Sequence, residues 1–126
     1  MPYKRLLVSV VDDDESMRES LPDLLTEFGY APRAFSSAEE FLAFDDLDKT
    51  RCLILDVGMP GMSGTDLQRE LKRRRQEKPI IFITANRDEA FRQFALEQGA
   101  VECLFKPFSD ADLLESLNSA LDKTPT

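Results

Sequence analysis

The sequence predicts an α/β fold with one open, doubly wound sheet of five parallel strands and helices on both faces. Two observations predict it. Five short apolar runs recur along the 126 residues, and a segment of helical periodicity follows each run. Strands that alternate with single helices imply parallel pairing through right-handed crossovers. The chain length fits a single domain with one core.

The apolar runs are the predicted strands. A buried strand of a parallel sheet has few polar residues, because helices cover both of its faces. Each run here is short and is followed directly by a polar residue. In chain order the runs cover residues 6–11, 30–35, 52–55, 80–83 and 101–105.

Capping residues mark the ends of the predicted helices. Ser37, Ser63 and Ser109 each stand three residues before an acidic residue, which is the spacing of a capping box. Gly29 and Gly99 stand where helix C-caps belong. The helices should therefore fill the intervals between the apolar runs.

Pro22 conflicts with the first helical pattern. A proline costs about 3 kcal/mol in a helix interior, because it lacks an N–H donor and its ring clashes with the preceding turn. The first helix is therefore expected to kink at Pro22 or to begin late.

The number of βα units selects the strand order. Five units in so short a chain favour the flavodoxin-like order 2-1-3-4-5 over a longer dinucleotide-binding sheet. The sequence contains neither GxGxxG nor GxxxxGK[ST], so no nucleotide-binding loop argues otherwise. The domain is expected to span residues 1–121, with residues 122–126 as a frayed end or the start of a linker.

Composition argues against several classes of function. The net charge of −8 opposes direct binding of this chain to nucleic acid or to an anionic membrane surface. No apolar run approaches the roughly 18 residues of a membrane span, and no signal-peptide cleavage site follows the first run, so a cytoplasmic protein is expected. Histidine is absent, so chemistry must use carboxylates, hydroxyls or lysine.

Cysteines and clustered cations have ordinary structural explanations. Cys52 and Cys103 lie in apolar runs, which favours small buried side chains over metal or redox roles. Strands three and five should lie about 9.6 Å apart, beyond the reach of a disulfide. The basic run at residues 72–75 fits the C-terminal turn of the third helix, where cations complement the helix dipole, better than a nucleic-acid patch.

Polar residues at the carboxyl ends of the strands form the candidate site, because open parallel sheets bind ligands there. Strand one is followed by Asp12 and Asp13, strand three by Asp56, strand four by Thr84 and strand five by Lys106. Neighbouring strands are about 4.8 Å apart, so these side chains should converge. Three carboxylates without histidine favour a hard cation such as Mg²⁺. Taken singly, each residue also fits a helix cap, a backbone hydrogen bond or a solvated charge.

With these residues the chain resembles the receiver domains of bacterial two-component response regulators. The stretches VVDDDES, LILDVGMPGMSG, FITAN and CLFKPF carry the resemblance, in order and spacing, over essentially the whole chain. The stretches SAEEFL, MPGMSGTDLQREL and TAN are most similar to regulators of the FixJ/NarL type. Receivers of that type usually precede a helix-turn-helix DNA-binding domain.

The resemblance implies a phosphoacceptor and a metal site. Asp56 would accept a phosphoryl group from a phosphohistidine on a partner histidine kinase. Asp13 would bind Mg²⁺ directly, Asp12 would act largely through water, and Gly58 would supply a backbone carbonyl. The chain would assist its own phosphorylation and dephosphorylation without being a classical enzyme.

The resemblance also implies a switch. Thr84 and Lys106 would bind phosphoryl oxygens, and Pro107 would follow a cis peptide bond. The family normally has Tyr, Phe or His three residues before the lysine, whereas this chain has Cys103. Cys103 and Phe105 point to the same side of the edge strand, where an apolar pair would favour a phosphorylation-dependent homodimer.

The expected function is a switch that controls an output domain or a partner, with transcription as the regulated process. It would act through the face formed by the fourth helix, the fifth strand and the fifth helix. One alternative is a constitutive interaction module that no longer switches. Another is a Mg²⁺-dependent phosphohydrolase of the haloacid dehalogenase kind, but its DxD[TV] signature is missing after Asp56.

Overall fold

A computed structural model describes residues 5–121. Five parallel strands form one sheet in the order β2-β1-β3-β4-β5, which confirms the predicted fold class and strand order. The strands are β1 (Leu7–Val11), β2 (Ala31–Phe35), β3 (Thr50–Asp56), β4 (Ile80–Thr84) and β5 (Glu102–Phe105).

Helices cover both faces of the sheet. Helices α1 and α5 lie over one face, and α2, α3 and α4 lie over the other. None of the helices within residues 5–121 is long and apolar enough to cross a membrane. The helices are α1 (Glu15–Glu27), α2 (Ala38–Leu42), α3 (Gly64–Arg73), α4 (Glu89–Glu97) and α5 (Asp110–Leu121), and a short 3-10 turn (Leu47–Lys49) precedes β3.

The predicted helix caps are present. The hydroxyl oxygens of Ser37, Ser63 and Ser109 each accept a hydrogen bond from the backbone N–H three residues later, at 3.0, 3.2 and 3.0 Å. Gly29 and Gly99 follow α1 and α4 with φ of +98° and +103°. Residues other than glycine are strained in this left-handed backbone conformation, because they have a Cβ atom. These caps set where each helix meets the sheet.

The expectation that α1 begins late is wrong, because the helix starts at Glu15 and continues through Pro22. The side chain of Asp14 caps the helix by accepting the Ser16 N–H at 3.0 Å. Leu21 and Leu25 are buried beneath the helix. Capping and burial together offset the cost of an interior proline.

The core has two layers, one on each face of the sheet. Both layers meet the central strands β3 and β4, whose side chains are almost all buried. Parallel pairing in register holds the carboxyl ends of β1, β3 and β4 at one edge. The large side chains under α1 and α5 are Leu25, Ile54, Ile81, Ile83, Leu113 and Leu117, and those on the opposite face are Phe41, Leu53, Leu55, Leu67, Leu71 and Phe82.

The basic run lies at the end of α3, as the sequence predicted. Glu70 accepts hydrogen bonds from both Arg73, at 2.6 Å, and Arg74, at 2.7 Å. These contacts hold the pKa of Glu70 at about 2, below its ordinary value. The cations are therefore partly neutralised within the helix itself.

Both cysteines are buried and free. Cys52 belongs to the layer under α1 and α5, whereas Cys103 belongs to the opposite layer. Burial raises the pKa of the Cys52 thiol to about 12 and that of Cys103 to about 11. Because the thiolate is the reactive form, neither thiol should react readily in the folded chain.

We expect thiol titration of the denatured chain to count two free groups. The native chain should react far more slowly, since reaction requires opening of the core. An oxidised monomer with no free thiol would contradict the placement of the cysteines on opposite faces of the sheet.

Candidate functional site

Three carboxylates meet at the carboxyl edge of the sheet. One carboxylate oxygen from each of Asp12, Asp13 and Asp56 lies within 4.8 Å of the other two. Asp12 and Asp56 are buried, whereas Asp13 is exposed. The arrangement gives a set of oxygen ligands that is open to solvent on one side and suits a hard divalent cation.

Lys106 supplies positive charge to this cluster. Its Nζ donates a hydrogen bond to Asp12 Oδ2 at 3.0 Å and lies 4.0 Å from Asp56 Oδ1. The side chain of Asp12 is fully buried, and its Oδ1 also accepts the backbone N–H of Asp14 at 2.9 Å. Charge-assisted bonds of this kind offset the cost of burying a carboxylate.

Asp56 has a strongly perturbed acidity. Burial, together with the negative charge of Asp12, raises the pKa of Asp56 from 3.8 to about 7, against the opposing effect of Lys106. Further positive charge at the cluster would therefore stabilise its ionised carboxylate. A perturbed acid in such a cluster is typical of a functional site.

Thr84 ends the strand beside Asp56. It follows Ile83, which is the register partner of Asp56 on β4, and it is almost fully buried. Its Oγ1 accepts the backbone N–H of Asn86 at 3.1 Å, and its carbonyl oxygen accepts the N–H of Lys106 at 2.8 Å. The hydroxyl is thus engaged with the β4–α4 loop, residues 85–88, next to the cluster.

Two further predicted residues occupy loops at this edge. Gly58 is exposed, and a Cβ at that position would meet no atom of residues 5–121 within 4 Å. The peptide bond between Lys106 and Pro107 is cis, as the resemblance implied.

The expectation of an exposed apolar pair on β5 needs correction. Cys103 and Phe105 do point to the same face, because both contact the core layer under α4. Cys103, however, is only 2% exposed, since α4 covers it, whereas Phe105 is half-buried. Only Phe105 of this pair reaches the surface.

Sequence reasoning missed two residues that support the site. A Cβ on Gly64 would lie 2.6 Å from the carbonyl oxygen of Asp56, so α3 can begin there only with glycine. A glycine in the first turn directly after the capping Ser63 was the available signal. Arg18 donates a hydrogen bond from Nη1 to the carbonyl oxygen of Asp12 at 3.1 Å. No sequence motif predicted this contact.

Comparison with known families decides the class of protein. Residues 8–118 match the family model described as the response regulator receiver domain. The chain belongs to this family. Receiver domains act in two-component signalling as switches rather than as classical enzymes, and they bind Mg²⁺ at an acidic pocket. The family match gives no support to the phosphohydrolase alternative.

Several relatives of this receiver domain are curated regulators. Nodulation protein W of Bradyrhizobium diazoefficiens is 44% identical over 119 residues, covering 94% of the chain and 52% of that protein. Response regulator protein TodT of Pseudomonas putida is 40% identical over 125 residues, covering 99% of the chain and 55% of that protein. The receiver domain thus spans about half the length of these relatives.

A solved receiver structure shares the fold. The crystal structure of FixJ-N is 38% identical to the chain with a TM-score of 0.82, and the match covers 94% of each chain. Nearly all of the receiver domain is therefore similar in fold to that structure.

Gly64→Ala tests the support for Asp56. The added Cβ would collide with the backbone of Asp56, so the free energy of unfolding should fall by about 1–3 kcal/mol. Gly58→Ala is the matched control, since space is open there, and its stability in urea should stay close to that of the wild type. Equal losses in the two variants would contradict the assigned contact.

The pKa of Asp56 predicts how stability depends on pH. Because the folded-state pKa is raised, the metal-free chain gains stability from the protonated carboxyl below about pH 4 and loses it as pH rises through about 7. Asp56→Asn should therefore exceed the wild type by on the order of 1–2 kcal/mol at about pH 8 but not at about pH 4. Urea unfolding with a chelator checks this, with Glu27→Gln as control. A pH-independent difference would rule out the raised pKa.

Proposed function

We propose that this receiver domain is a phosphoacceptor switch in which Asp56 takes a phosphoryl group from a sensor histidine kinase. The observation that carries the proposal is the placement of Asp56. It lies within 4.8 Å of two other carboxylates and 4.0 Å from the ammonium group of Lys106. A nucleophile in such surroundings can accept an anionic group once the local negative charge is offset.

The transfer requires little covalent chemistry from the protein. An oxygen of the Asp56 carboxylate forms the bond to phosphorus as the bond from phosphorus to the donor breaks, roughly in line. Lys106 is near enough to shift its Nζ from the carboxylates to a phosphoryl oxygen. The hydroxyl of Thr84 would bind another phosphoryl oxygen after leaving the N–H of Asn86.

The carboxylates fit Mg²⁺ as the cofactor. Asp13 and Asp56 would hold it directly, Asp12 would act largely through water, and Gly58 would give its carbonyl oxygen. When bound, Mg²⁺ offsets the charge of the carboxylates and of the phosphoryl oxygens. Exposure of Asp13 and the open space at Gly58 leave room for its water ligands.

The output would be read on the face formed by α4, β5 and α5. A cavity of about 520 Å³ lies there, lined by residues that include Arg87, Arg92, Glu102 and Phe105. Movement of Thr84 would displace residues 85–88 at the edge of this face. A second copy of the chain or an output domain would bind the altered face, and a modest shift to a homodimer is expected because Phe105 alone supplies the exposed apolar contact.

The whole protein is proposed to regulate transcription. Relatives such as TdiR of Thauera aromatica and FixJ of Rhizobium meliloti are named transcriptional regulatory proteins, and the chain spans 50% and 55% of their lengths. A DNA-binding output domain would account for the remaining length of those relatives. The corresponding domain for this chain would lie beyond these 126 residues or on a separate partner.

A constitutive interaction module is the second candidate, and Cys103 favours it. The family usually places an aromatic ring at this position, whereas the buried Cys103 has no ring to rearrange. The acids, Thr84 and Lys106 are all retained, so the phosphoacceptor proposal accounts for more of the site.

Labelling with acetyl phosphate tests the proposal. With Mg²⁺, the wild type should gain one phosphate, and Asp56→Asn should gain none, because the nucleophile is gone. Asp13→Asn should need about tenfold more Mg²⁺ for the same extent of labelling, whereas Asp14→Asn should behave like the wild type. Intact-mass spectrometry measures the extent, and phosphate that persists at another residue of Asp56→Asn would disprove the assignment.

A further inference from the structure

Arg87 contacts an aromatic ring at the edge of the site. Its guanidinium carbon lies 5.8 Å from the centroid of the Phe105 ring, within the range of a cation–π interaction. Arg87 belongs to the β4–α4 loop and Phe105 to β5. The contact therefore fastens the loop to the edge strand.

The β4–α4 loop begins directly after Thr84, whose hydroxyl is the proposed switch group. Thr84 pairs with Phe105 in register, and its hydroxyl oxygen accepts the N–H of Asn86, directly before Arg87. Lys106 follows Phe105 and binds the Thr84 carbonyl oxygen through its N–H. A movement of the Thr84 side chain toward Asp56 would break its bond to Asn86 and so free the segment that Arg87 holds to Phe105 to rearrange.

Besides this contact, the segment is held by local hydrogen bonds, of which the Asp88 carboxylate makes two with the first turn of α4. Residues 85–90 are all exposed, so core packing does not fix the loop. On β5, two residues before Phe105, the side chain is that of the small, buried Cys103. The ion pair between Arg92 and Glu102, at 2.9 Å, holds the body of α4 to β5 but lies beyond the loop.

We propose that Arg87 is a positioning residue whose contact with the Phe105 ring holds the β4–α4 loop in the unphosphorylated arrangement. The contact is lost when Thr84 turns to the phosphoryl group. This inference rests on the proposed function and adds a residue that sets the balance between the two states. With no ring at position 103, the ring of Phe105 on the same face takes part in the coupling through its surface contact with Arg87.

The expected effect follows from population shift. A contact made only in the resting state opposes the active state, so its removal raises the apparent affinity for any ligand of the active state. A partly exposed cation–π contact corresponds to a shift of about two- to fivefold. General loosening of the site would lower the affinity instead, which separates positioning from structural damage.

The experiment measures binding of the phosphoryl mimic beryllofluoride, with Mg²⁺, to the full chain. Arg87→Ala should tighten apparent binding about two- to fivefold, and Arg87→Lys, which keeps the cation, should restore most of the wild-type value. Phe105→Leu keeps the apolar packing but removes the ring, so it should match Arg87→Ala. The double variant should show no further gain, because both changes remove one contact.

Arg33→Ala is the matched control, since Arg33 lies 5.2 Å from the ring centroid of Phe44, between β2 and the segment after α2. It should leave mimic binding unchanged. Unchanged or weaker binding in Arg87→Ala, or additive effects of Arg87→Ala and Phe105→Leu, would overturn the proposal.

Hydrogen exchange without any phosphoryl mimic gives an independent readout. Arg87→Ala should speed amide exchange at residues 85–88 relative to the wild type, and Arg33→Ala should not. If the wild type fails to bind beryllofluoride, the proposed phosphoacceptor function fails, yet this measurement still decides whether Arg87 restrains the loop. Unchanged exchange at residues 85–88 would reject that restraint.

Discussion

The ion pair between Lys106 and the buried carboxylate of Asp12 is the interaction on which the site depends. It joins residues 94 positions apart in the sequence and brings the end of β5 to the end of β1. Loss of one partner from a buried pair costs about 3–5 kcal/mol, because the other charge stays buried without compensation. The same ammonium group lies 4.0 Å from Asp56 Oδ1. Lys106 therefore offsets part of the negative charge of the acidic cluster.

The sheet fixes the positions of the residues in this cluster. Strands β3 and β4 are packed between two core layers, so their carboxyl ends cannot shift without disturbing both layers. Asp56 and Thr84 stand at those ends, and Gly64 lets the first turn of α3 approach the backbone of Asp56 closely. A rigid scaffold with polar groups at its strand ends and in the adjoining loops suits a site for a ligand.

The surface beside the cluster is built differently from its interior. On this face of β5 the core holds the small Cys103, while a cation and a ring meet at the surface beside the β4–α4 loop. Contacts of this kind are weak one by one and are open to solvent. A weakly held loop next to a rigid acidic cluster is the arrangement that a two-state signal requires, because a small energetic change can then shift the balance.

The sequence by itself determined the five strands, the helix caps and the polar residue that follows each strand, because periodicity and capping are local properties. From the strand order it also followed that Asp12, Asp13, Asp56 and Lys106 meet. Tertiary structure alone decided the continuous α1, the raised pKa of Asp56 and the contacts of Gly64 and Arg87. Each of these depends on distances between segments remote in the chain, and no local pattern encodes such distances.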